Sequence, residues 1–183
     1  MPFSLPLTAT TLARYGAPRP FVPEGKEDRD ARCQEILLIA ALGLKQRLGH
    51  TGAKTAGVGL AGGLDSTLAV LITGLAMKML CRPMTDIVAV TMPCFGTTDR
   101  TRDNATKLGE LLGTNFRRVD IGEAVMQHFA DIGHDPSDHS TTYENCQARE
   151  RTQVLMDIAN KNGGLVIGTG DLSELALGWC TYN

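Results

Sequence analysis

Gly59-Leu60-Ala61-Gly62-Gly63-Leu64-Asp65-Ser66-Thr67 stands where a short apolar run, Thr55 to Leu60, gives way to a helical pattern from Ser66 to about Leu80. A glycine-rich turn that opens a helix gathers backbone N–H groups and the positive end of the helix dipole around an anion. The paired glycines, Gly62 and Gly63, let a ligand approach the backbone closely. Asp65 adds a carboxylate able to hold a divalent cation beside that anion, and Ser66 puts a hydroxyl in the first helical turn. No lysine follows the glycines as G-x-x-x-x-G-K-[ST] requires, so the loop is not a Walker A element, and it is not G-x-G-x-x-G either.

Strands and helices alternate outward from this seam. Asp86 to Met92 reads as a buried strand ended by Pro93, followed by a helix over about Thr98 to Leu112 and a strand over Phe116 to Ile121. A helix over about Glu123 to Ala130, a loop to Thr142, and a long helix from Tyr143 to Asn160 come next. Asn162-Gly163-Gly164 stops that helix, Leu165 to Gly168 is a last apolar strand, and Asp171 caps a helix containing Leu172, Leu175 and Ala176. Short apolar strands separated by helices predict an α/β fold. Its sheet is parallel and doubly wound, covered on both faces in three Rossmann-like layers. Ligands of such sheets sit at the carboxyl ends of the strands. The glycine loop and Gly168-Thr169-Gly170-Asp171-Leu172-Ser173-Glu174 both follow strands, so both belong on one rim.

Before the seam, Pro2, Pro6, Pro18, Pro20 and Pro23 punctuate residues 1–28, which read as a linker or extended arm; residues 29–183 read as one domain. Asp28 or Asp30 is expected to cap a helix whose Ile36, Leu37, Ala40, Leu44 and Leu48 share a face, ended by Gly49 and Gly52. With 183 residues, 43% hydrophobic and 21% charged, the chain can bury a substantial core. A net charge of -2 gives no electrostatic reason to expect nucleic acid. No apolar run approaches the roughly 20 residues of a membrane span. The N-terminus lacks the basic and apolar regions of a signal peptide. Cys33, Cys81, Cys94, Cys146 and Cys180 are odd in number and scattered, which argues for a reducing cytoplasm over a disulfide framework. His128, His134 and His139 among Asp131, Asp135 and Asp138 read as a polar surface loop, since no two of the histidines have zincin spacing.

Asp65 and Glu174 carry the chemistry in this reading: two carboxylates on one rim share Mg²⁺, which neutralises phosphate charge and stabilises a leaving pyrophosphate. Taken singly, Asp65 is also explained as a helix cap and Glu174 as a favourable charge in a first helical turn. Thr169, between two glycines, is placed to face a phosphate. Asn145, Arg149 and Arg151 near the start of the long helix are interleaved with Glu144 and Glu150, a mixture that spacing alone assigns to a solvated face.

Four segments in order carry a resemblance: Gly59 to Leu68, Thr91 to Arg100, Tyr143 to Arg149, and Ile167 to Trp179. The first resembles the S-G-G-x-D-S loop of the N-type ATP pyrophosphatases. Together the four resemble the synthetase domain of glutamine-dependent NAD⁺ synthetases, over roughly Phe21 to Asn183. The resemblance implies the adenine nucleotide alpha hydrolase type of fold. It also implies a two-step ligase reaction: ATP adenylates the nicotinate carboxylate of deamido-NAD⁺, and ammonia displaces AMP to give NAD⁺. It implies that Gly59, Leu60, Ala61, Gly62, Gly63, Leu64, Asp65, Ser66 and Thr169 bind ATP and that Asp65 and Glu174 hold Mg²⁺. Asn145, Arg149, Glu174, Trp179 and Tyr182 are assigned to deamido-NAD⁺ on the same ground.

Ala61 stands where the family has Ser, a loss of one hydrogen bond to a charged acceptor, worth about 1–3 kcal/mol. The chain is expected to be a partial synthetase domain, with a glutamine-hydrolysing domain supplying ammonia in the full-length protein and a homo-oligomer forming through Tyr143–Asn160. Two other readings remain. A different pyrophosphatase, GMP synthetase-like or tRNA-modifying, would share the first loop but not the later segments. A catalytically degenerate ATP-binding module would bind Mg·ATP without forming AMP.

Overall fold

The computed structural model describes residues 3–4, 8–9, 11 and 13–178, in two compact units, residues 1–37 and 38–183. In the first, the described residues before Lys26 are bends and turns without a regular element. Helix α1 (Lys26–Thr51) begins there and ends in the second unit. It starts before both expected caps, so Glu27 and Asp28 lie in its first turn, where they favour the dipole instead of capping it. Ile36, expected on the buried face, is 56% exposed. Within the second unit Ala41 and Leu48 are buried and Leu44 packs against the core.

The second unit holds a four-stranded, wholly parallel sheet in the order β3-β2-β1-β4, with β1 (Ala56–Gly59), β2 (Ile87–Thr91), β3 (Asn115–Arg118) and β4 (Leu165–Ile167). Ala56 is in register with Ile87 on one side and Leu165 on the other. Helices α2 (Leu64–Met79) and α3 (Asp99–Leu111) connect β1 to β2 to β3; α4 (Gly122–Ile132) and α5 (Thr141–Lys161) lead back to β4; α6 (Leu172–Leu177) follows. A 3₁₀ turn, Met84–Asp86, precedes β2, where sequence reading runs the strand from Asp86. β3 stops at Arg118, before the expected Ile121, which is buried beside α4 instead.

Side-chain alternation on β2 divides the core. Ile87 and Ala89 face one cluster with Val70 and Met77 of α2 and Ala105 of α3, whereas Val88 and Val90 face another with Phe129 of α4 and Tyr143 and Cys146 of α5. Three layers result, as the apolar, non-alternating strands predict. The order in which strands are added reverses between β1 and β4: β2 and β3 extend the sheet to one side of β1, and β4 lies on the other. The carboxyl ends of β1 and β4 therefore open a crevice at a topological switch point.

Candidate functional site

Both sequence-selected loops leave this crevice, the glycine loop from β1 and the 168–171 turn from β4. Leu60 extends the pairing of β1 by one bond, its N–H donating to the Val90 carbonyl at 2.8 Å. The chain then turns at Gly62, where φ is +77°, a value L-residues rarely adopt. Gly63 is the N-cap of α2, with extended backbone and no side-chain cap. A Cβ at Gly63 would meet no protein atom within 4 Å, so packing does not account for glycine there.

Ser66, 5% exposed, is turned into the loop. Its hydroxyl accepts from the Ala61 N–H and donates to the Gly63 carbonyl, each at 3.3 Å. Thr67 donates to the same carbonyl at 2.7 Å. The hydroxyl that sequence reading gives to ATP thus braces the turn. Asp65 lies inside α2, makes no cap bond and is exposed, so capping does not explain it.

On the β4 side, Asp171 and Glu174 form a reciprocal capping box: the Glu174 N–H donates to Asp171 Oδ1 at 2.8 Å, and the Asp171 N–H to Glu174 Oε2 at 2.9 Å. Glu174 Oε1 has no hydrogen bond among the described residues, and neither has the Asp65 carboxylate. Asp65, Thr169, Asp171 and Glu174 line one cavity of about 350 Å³, bringing together the residues chosen from both loops. Among the described residues no group of three or more His, Cys, Asp or Glu is arranged to hold a metal ion. Mg²⁺ needs less than that, because it keeps several waters and takes phosphate oxygens beside one or two carboxylates. Asp65 and the open oxygen of Glu174 fit that donor set.

A second cavity, of about 530 Å³, joins the glycine loop (Gly59, Leu60, Ala61) to the end of β2 (Thr91, Met92), Thr169 and one face of α5. That face carries Ala148, Arg151, Thr152 and Leu155, at helical spacing. Arg151 Nε donates to the Met92 carbonyl at 3.3 Å. Asn145 and Arg149, assigned to the substrate from the resemblance, are exposed and lie outside this lining. Trp179 and Tyr182 fall outside the described residues. Burial pushes the Cys94 thiol above its ordinary value, a shift partly offset by a backbone hydrogen bond from Phe95 and, less, by the Arg151 guanidinium. His134 and His139 pack on Phe129 and Tyr143, at ring separations of 4.9 and 4.4 Å, which gives them a packing role.

The NAD synthase family model matches residues 38–183. The glutamine-dependent NAD(+) synthetase of Mycobacterium leprae is 44% identical over 167 residues, which cover 89% of this chain and 25% of that protein. The Acinetobacter baylyi enzyme of the same name is 34% identical, over 84% of this chain and 27% of its own. The chain therefore spans about a quarter of the length of these curated relatives. Among solved structures, the glutamine-dependent NAD⁺ synthetase of Acinetobacter baumannii, in complex with ADP, superposes with a TM-score of 0.71 at 31% identity, over 81% of this chain and 28% of that one. The model match covers four-fifths of the chain, including β1, the glycine loop and the turn after β4, and on that ground the chain belongs to the NAD synthase family.

Proposed function

We propose that the protein bearing this chain amidates deamido-NAD⁺ to NAD⁺ at the expense of ATP, as a C–N bond-forming ligase. A carboxylate oxygen of the nicotinate attacks the α-phosphorus of ATP, the bond to pyrophosphate breaks, and an acyl adenylate forms. Ammonia then adds to the acyl carbon, a proton is lost, and AMP leaves. One observation carries this reading: Asp65 and Glu174, from loops on two different strands, line one cavity at the β1/β4 switch point beside a glycine turn. Adenylyl transfer needs phosphates fixed and leaving-group charge neutralised, and it needs no protein nucleophile.

In this reading residues 29–183 form the synthetase domain. The backbone from Gly59 to Leu64 holds the ATP phosphates, Ser66 keeps that turn in shape, and Thr169 adds a hydroxyl. Asp65 and Glu174 hold Mg²⁺, which supplies charge neutralisation of the phosphates. Asn145, Arg149, Glu174, Trp179 and Tyr182 orient deamido-NAD⁺. Ala61 leaves ATP binding weaker than a Ser would make it. Glutamine is the ammonia source through a separate glutaminase domain, a reading supported by the names of the relatives and the quarter of their length that is matched. The protein works as a homo-oligomer with α5 as a contact. It works in the cytoplasm, in keeping with Cys33, Cys81, Cys94 and Cys146 all being free thiols. No described helix is long and apolar enough to cross a membrane.

The test is product analysis on the natural full-length protein with deamido-NAD⁺, Mg·ATP and ammonium. NAD⁺ and AMP in equal amounts are expected. ATP left intact would point to a binding module, and AMP formed only with another acceptor would move the protein elsewhere among the pyrophosphatases.

A further inference from the structure

The 530 Å³ cavity has an unusual charge distribution. Among the described residues that line it, Arg151 alone is charged, and the others are glycine, apolar residues and threonines. Arg151 is half-buried and has no carboxylate partner among the described residues. A cation withdrawn from water without a counterion is costly, so a half-buried guanidinium facing a cavity is suited to an anionic ligand. Its Nε donates to the Met92 carbonyl, which leaves the two Nη groups available as a forked donor pair.

The position of that fork selects the anion. The cavity begins at the phosphate loop, Gly59 to Ala61, and continues past Met92, Pro93 and Leu155, apolar surface suited to a nucleoside. Arg151 is bonded to Met92 of the apolar zone and lines the same cavity as the phosphate loop, so its charge is available to the phosphate nearest the nucleoside. We infer that Arg151 is a further nucleotide-binding residue, its Nη groups holding the α-phosphate of ATP, the phosphate that is transferred. The inference rests on the ATP reading proposed above, and it adds an ATP contact on the helix whose Arg149 is assigned to deamido-NAD⁺.

The test measures equilibrium binding of ATP, AMP and adenosine to the natural full-length protein and to R151Q and R151K. In R151Q, AMP affinity should fall at least tenfold while adenosine affinity stays within twofold, because adenosine lacks the phosphate. R151K, keeping the charge but losing the fork, should recover part of the AMP affinity. Equal losses for AMP and adenosine would mean a packing role and overturn the inference, as would AMP binding left intact in R151Q. A wild-type protein that binds no ATP would overturn this inference and the proposed function together. If R151Q fails to melt cooperatively, R151K decides alone. A loss of threefold or more for AMP with adenosine unchanged supports the assignment, and equal or absent losses overturn it.

Discussion

The two loops that bring Asp65 and Glu174 together are built on unequal foundations. The glycine loop leaves β1, one of the two inner strands of the sheet, where Ala56 and Val58 are fully buried and Leu60 is 2% exposed. Its turn is tied from within by Ser66. The 168–171 turn leaves β4, at the edge of the sheet formed by the described residues and half-buried at all three positions, and leads into a six-residue helix whose Leu172, Leu175 and Leu177 are all exposed. Two reciprocal hydrogen bonds of a capping box order its start. Local stability follows buried apolar contact. One half of the cavity is therefore held by the core, and the other by local bonds.

Paired substitutions sharpen this contrast. Leu60→Ala should cost about 2–5 kcal/mol in urea unfolding, because it leaves a void in the core, whereas Leu175→Ala should stay within about 0.5 kcal/mol. Equal costs would break the comparison. Gly63→Ala separates folding from binding inside the firm loop. The φ of -92° accepts alanine and its Cβ meets no protein atom, so thermal stability should hold while ATP affinity falls by about tenfold, roughly 1.4 kcal/mol. Unchanged affinity would show that no ligand approaches the turn at Gly63.

The braces should differ as the loops do. Ser66→Ala removes two hydrogen bonds of a buried hydroxyl and should lower global stability by about 1 kcal/mol. Asp171→Ala should leave global unfolding unchanged and speed amide exchange in α6. The smallest effect expected is at Cys94. With its pKa raised, the thiol holds its proton to higher pH, so at pH 8 less thiolate is present and alkylation should run slower than for a free thiol. The rate should rise through a higher pH range, and a rate equal to a free thiol's at pH 8 would remove burial as the controlling cause.

The firm loop was largely legible in the sequence. Apolar β1, paired glycines and a following helix fix a strand–turn–helix unit, and strand alternation puts the second loop on the same rim. Side-chain direction within the loop was not. α2 starts at Leu64, two residues before the sequence pattern places it, and Ser66 lies in its first turn with the side chain buried. The same shift takes Asp65 out of any capping role. On α5, mixed charges leave the rotation of the helix undetermined, so Arg149 and Arg151 look alike in sequence. The available signal was the run Ala148, Thr152 and Leu155 at helical spacing, which marks the face turned to β1 and carries Arg151 with it. Ile36 fails for a related reason, since an apolar residue at helical spacing in α1 need not find a partner to bury it.

In the function proposed above, two unequal loops form one nucleotide site. Pyrophosphate–ATP exchange tests it most directly, because it reads the adenylation step without ammonia. With the full-length protein, exchange should require both deamido-NAD⁺ and Mg²⁺ and should be lost in Asp65→Ala and Glu174→Ala alike, one variant from each loop. Exchange that persists in either variant, or that runs without deamido-NAD⁺, would contradict the account.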